Sequence, residues 1–172
     1  MGYFDGFTTS GLLVLLHVLF ATLWFGGAVY QVRLIGPALM AAGPAGGGFQ
    51  LALAKRKGIG WYFALTGLLT IVFGGALYGS EKVYNDPFGP HNVWLTSGAI
   101  IAVLAYLHGM AVNLPAEKKW LAVCNSVKGA PTPEQGKQMA ELGQKIGKAG
   151  RHSVMMLAVA ILLMLLARVF PG

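Results

Sequence analysis

Four histidines, His17, His91, His108 and His152, are the residues of this chain best suited to chemistry, because three of them stand in or beside long apolar runs. His17 lies inside LLVLLHVLFATLWFGGAVY, the stretch from Leu12 to Tyr30. An ionisable imidazole in hydrocarbon is costly unless it has a partner, so such a residue marks a candidate site. Imidazole is also a common axial ligand of haem iron, and helical bundles hold cofactors on facing helices. His17, His108 and His152 are therefore the candidate haem ligands, and His91 is a further candidate ligand. Trp24 follows His17 by two helical turns and points the same way, toward a bundle interior. Arg151, next to His152, completes the candidate cofactor-binding set. Trp94 would line the bundle or anchor it at the interface.

The elements that must position these residues follow from composition. Of 172 residues, 55% are hydrophobic and only 11% are charged, against about 25% charged in soluble domains. A membrane span needs ~20 mostly apolar residues, and four such blocks are present. The expected helices are about residues 11–35, 58–78, 93–113 and 151–170, forming one all-α, integral membrane four-helix bundle. Thr8, Thr9 and Ser10 are candidate N-caps of the first helix. Pro37, Pro44 and the Gly46–Gly48 run are expected to end it in a loop, closed by Lys55, Arg56 and Lys57. Gly67, Gly74 and Gly75 of the second helix allow close helix approach, and Thr66 and Thr70 can bond back to their own helix. Residues 116–150 read as a polar loop with a basic, weakly amphipathic helix from about Glu134 to Gly150, lying at the membrane surface or extending the fourth helix into water, with Thr132 and Pro133 starting it.

Orientation follows from counting. Eleven of the 13 basic residues fall on the side of the 1–2 and 3–4 loops, leaving Lys82 and Arg168 on the other. The positive-inside bias puts both termini on the outer, periplasmic side of a bacterial inner membrane. It also accounts for the net charge of +7 without nucleic acid. At ~1.5 Å per residue His17 lies roughly 10 Å deep and His108 roughly 22 Å. The histidines thus divide into an outer pair, His17 and His91, and an inner pair, His108 and His152. Two layers would make a transmembrane electron path through two haems, and a tilted single haem would join His17 to His108.

Other chemistries find little in the chain. The spans carry no carboxylate, which argues against a proton- or cation-coupled transporter, and no phosphate loop, triad or zinc spacing occurs. The single cysteine, Cys124, excludes an internal disulfide and reads as a bystander in a polar loop. Met110, Met155, Met156 and Met164 could offer thioethers to Cu(I), which makes copper handling an alternative. A cofactor-free accessory subunit, held to a larger assembly by glycine-rich faces, is another.

Three segments carry a resemblance. HVLFATLWFGGAVYQVRLIGPAL (His17–Leu39), NLPAEKKW (Asn113–Trp120) and AGRHSVMMLAVAILLMLLARVFP (Ala149–Pro171) resemble, in the same order, the membrane domain of PuuD-type urate oxidases. More distantly, His17, Trp24, Tyr30 and Arg33 resemble the first helix of CopD-like membrane domains and HemJ-type protoporphyrinogen oxidases. The latter resemblance implies haem on His17. Gly98 stands where HemJ-type proteins carry a lysine, and no Cys-x-x-Cys-His motif supplies the cytochrome c domain of the urate oxidases. The expectation is a membrane-embedded protein binding one or two haem b and passing electrons in a lipid bilayer. Its partners would be a cytochrome c, a larger redox complex or a second copy of itself.

Overall fold

A computed structural model describes residues 9–55, 58–90 and 92–169. Thr8, Arg56, Lys57, His91 and Pro171, each named above, lie outside them. The described residues are helical apart from short connections. Helix α1 (Thr9–Tyr30) passes through a five-residue π turn, Gln31–Ile35, into α2 (Gly36–Ala41). Helix α3 (Pro44–Lys55) and helix α4 (Ile59–Ser80) follow. A loop with a single 3-10 turn, Val83–Asn85, leads to α5 (Val93–His108), a second π turn (Gly109–Asn113) and α6 (Leu114–Ser126). Helix α7 (Pro133–Val169) closes the chain.

Several expected boundaries move outward, each for a local reason. Pro37 does not end the first helix. A proline ring collides with the carbonyl four residues back, and the π turn widens the backbone one turn earlier, so Gly36 N–H donates to the Gln31 carbonyl, five residues behind. Pro115 is handled identically, with Leu114 N–H donating to the Gly109 carbonyl. Both rods stay continuous, over Thr9–Ala41 and Val93–Ser126. The expected Pro44–Gly48 loop is instead the start of α3. Gly43, at φ +57°, makes the reversal, and the missing side chain at Gly46 lets α3 lie against the Leu39 carbonyl.

The polar stretch 116–150 is helical as well, apart from the connection over residues 127–132. Cys124 is not in a loop but buried on α6. Helix α7 starts at a reciprocal cap: Gln135 N–H donates to Thr132 Oγ1 (3.2 Å), and Thr132 N–H donates to Gln135 Oε1 (3.0 Å). This cap satisfies two orphan donors of the first turn. Its 37 residues run ~55 Å, well beyond a hydrocarbon core of ~30 Å. Its first half therefore projects past the apolar zone beside α6, carrying Lys137, Lys145 and Lys148.

Side-chain contacts fix the register. Tyr62 O–H donates to the Leu23 carbonyl (2.6 Å), and His17 meets Thr70, so α1 and α4 are antiparallel. His108 meets Ser153, while a Cβ at Gly98 would lie 2.9 Å from the Ala160 carbonyl, so α5 and α7 are antiparallel as well. The two hairpins join at a central cluster of Trp24, Ala105 and Leu157, ringed by Phe25, Ala28, Phe63, Tyr106 and Met156. Buried Thr66, Gly67, Thr70, Thr96 and Gly98 keep the helices close, as small residues do where backbones must approach in lipid. Outward stand Leu15, Val18, Leu19, Leu104, Leu107, Leu162 and Leu165, all exposed. An apolar exterior of this extent calls for an apolar solvent.

Candidate functional site

His17 is held in one defined way. Its Nδ1 lies 2.9 Å from the carbonyl oxygen of Thr70 on α4. A carbonyl only accepts, so Nδ1 carries a proton and donates it, and in the neutral ring Nε2 keeps a lone pair. Nε2 finds no hydrogen-bond partner among the described residues. The seat is shaped by Gly74, one turn beyond Thr70, where a Cβ would come within 2.8 Å of the imidazole. The Thr70 hydroxyl is turned away, donating to the Thr66 carbonyl (2.8 Å), and Thr66 in turn donates to the Tyr62 carbonyl (2.7 Å). The threonines thus satisfy themselves along α4 and leave one carbonyl lone pair for the histidine.

Trp24 occupies the centre of the bundle at 6% exposure. Its ring meets Tyr106 edge to face with centroids 6.1 Å apart, and both rings lie over Gly67. This contact sets a common level for α1 and α5. His17 lies seven residues before Trp24 and His108 two residues after Tyr106, so the two histidines are separated along the axis by ~14 Å. The structure therefore does not bring His17 and His108 to one level, and a single haem clamped by both is not the arrangement it holds.

His108 belongs instead to a cluster at the far end of the bundle. Its Nδ1 is 3.1 Å from Ser153 Oγ on α7, and Asn113 Nδ2 donates to the same oxygen (3.2 Å). The His152 ring lies 6.4 Å from that of His108, inclined by 52°. His152 and Arg151 are both exposed, as is Trp94. Five residues apart on an α-helix, His108 and Asn113 would face about 140° away from each other. The π turn between them, with its longer repeat, brings both onto Ser153. Asn113 Oδ1 is buried and has no hydrogen-bond partner among the described residues.

Of the predicted site residues, the structure thus joins His108 with His152 and sets His17 apart with Trp24 toward the centre, and Arg151 lies at the rim. It adds Thr70 and Gly74 beside His17, and Asn113 and Ser153 beside His108. The described residues gather no three His, Cys, Asp or Glu side chains able to hold a metal ion by themselves.

The class defined is an all-helical protein whose four long helices are apolar and long enough to cross a membrane. Comparison with protein-family models, with curated proteins and with solved structures returns no match.

Proposed function

We propose that this chain is a membrane-embedded haem b protein that passes electrons, with His17 as an axial ligand. The observation carrying this reading is the Nδ1–H bond from His17 to the Thr70 carbonyl. Histidines that bind metals characteristically donate their other ring N–H to a carbonyl or carboxylate, which fixes tautomer and ring plane and raises ligand basicity. With Nδ1 donating, the neutral ring carries on Nε2 the lone pair that an iron would need. The donor set fits haem because the porphyrin supplies four donors itself, and one or two imidazoles complete the iron. When bound, the haem supplies one-electron chemistry. The chain's own contribution is to hold the imidazole, exclude water with the Phe20–Phe73 stack (5.7 Å), and keep fixed charges out of the span.

The resemblance of the first helix to haem-binding membrane families supports the same reading, as does the apolar exterior. On this proposal the termini face the outer side of a bacterial inner membrane, and the partner is a cytochrome c or a larger redox complex.

The test is a pyridine haemochrome assay on protein purified from haem-replete cells. Near-stoichiometric haem b in the wild type, and less than about a tenth of it in His17→Ala, is the expected result, since second-shell losses alone cost 10–100-fold. A colourless wild-type protein overturns the proposal and leaves the cofactor-free accessory subunit.

A further inference from the structure

His108, Ser153 and Asn113 form one hydrogen-bonded chain at the end of the apolar zone, and its unsatisfied ends carry the argument. In the arrangement observed, Asn113 Nδ2 donates to Ser153 Oγ, and the hydroxyl proton is free to donate to His108 Nδ1. His108 then carries its proton on Nε2, and the spare groups are one donor, His108 Nε2–H, and one acceptor, the buried Asn113 Oδ1.

Turning the amide over reverses the chain. His108 Nδ1–H then donates to Ser153 Oγ, and the hydroxyl donates to Asn113 Oδ1. The spare groups become a lone pair on His108 Nε2 and an N–H on Asn113. Each member can donate or accept, no member is a permanently charged residue, and the two arrangements present opposite hydrogen-bonding faces.

We infer that this cluster binds the headgroup of a membrane-soluble quinol and of its quinone. Such a headgroup is neutral, arrives on an apolar tail through the acyl chains, and changes from hydroxyl to carbonyl when oxidised. A site able to exchange donor for acceptor fits that change. An anion would call for fixed positive charge, which the cluster lacks; Arg151 is exposed at the rim rather than part of the chain. The approach is apolar, since Leu107, Met110 and Met155 are exposed around the cluster. A buried amide end with no protein partner costs stability, which a hydrogen bond from a bound headgroup would offset.

The electron balance rests on the haem proposed at His17. Oxidation of one hydroquinone to quinone breaks two O–H bonds and releases two electrons and two protons. The haem that His17 would hold would take these electrons one at a time, so two rounds would be needed for each hydroquinone. In the second arrangement, one O–H proton passes to the lone pair of His108 Nε2, forming an N–H bond. His152, exposed and 6.4 Å away ring to ring, offers the exit to water for this proton and the next.

The experiment is equilibrium binding of decylubiquinone and of decylubiquinol to the full chain in lipid nanodiscs, with haem content measured on the same samples. Saturable binding is expected for wild type, about tenfold weaker in Asn113→Ala and in Ser153→Ala, as for loss of a buried hydrogen bond. His108→Gln, which keeps a donor and an acceptor, should retain more affinity than His108→Leu. Helix content and haem content should be unchanged in all four variants, which separates loss of the site from loss of the fold. No saturable wild-type binding, the result for a cluster that holds only water, overturns the inference even if haem is present. Equal affinity in wild type and the alanine variants overturns it too. Saturable binding by a colourless protein would retain the quinone site and reject the haem.

Discussion

At the scale of single residues, the His17 site depends on the space left by one missing side chain. His17 must lie flat enough on α4 for Nδ1 to reach the Thr70 carbonyl, and only a hydrogen at Gly74 permits it. A methyl group there is the smallest possible obstruction. Gly74→Ala should therefore lower bound haem several-fold without changing helix content. Gly75→Ala, where a Cβ would meet nothing within 4 Å, should leave haem content as in wild type. Equal haem content in both variants would detach His17 from its seat on α4. Trp24 is the complementary case, since it is buried at the junction of the hairpins. Trp24→Ala should be among the most destabilising changes, by about 3–5 kcal/mol, measurable as a drop in thermal midpoint in detergent. Much of this scale was legible beforehand: a histidine in an apolar run and a tryptophan two turns on announce themselves by type. The partner of His17 was not, because every residue offers a carbonyl and nothing in a sequence singles out that of Thr70.

At the scale of elements, the two π turns decide which side chains meet. Each stands just before a proline, and each keeps a long rod intact where a break was expected at Pro37 and a helix end near Asn113. The positions of the four apolar blocks were legible from hydropathy. The helix from Glu134, as an extension of the fourth span into water, was legible as one of two alternatives and is what α7 shows. The continuation of α5 into α6 was not, because polar composition looks alike in loops and in exposed helices. Asn113 escaped notice as a site residue for a related reason. A 3.6-residue period places it away from His108, and only the wider turn brings them together. In a Cys124→Ser background, the pair Asn113→Cys and Ser153→Cys should cross-link readily under mild oxidation. Adding Pro115→Ala, which removes the need for the wide turn, should slow that cross-linking. Unchanged cross-linking would mean that the π turn does not depend on the proline. At the start of α7, Thr132→Ala should weaken the first turn by about 1 kcal/mol, seen as faster amide exchange confined to residues near Gln135.

At the scale of the whole molecule, two antiparallel hairpins share a small aromatic and alanine core while large apolar side chains face outward. This inversion of the soluble pattern is what the composition implied, and it makes the bilayer part of the folding problem. The basic residues gather where α6 and the first half of α7 project, and four crossings return the chain to the side from which it started. Alkaline phosphatase fused after Gly172 should be active and the same enzyme fused within the 126–133 connection inactive. The opposite pattern would invert the orientation while leaving the bundle unaltered.

The central claim, that His17 carries a haem in this bundle, is tested most directly by a reduced-minus-oxidised difference spectrum of purified wild type beside His17→Ala. A haem on His17 gives a b-type α band and Soret shift in the wild type and their loss in the variant at equal helix content. A wild-type spectrum without these bands, or a variant spectrum indistinguishable from wild type, would contradict it.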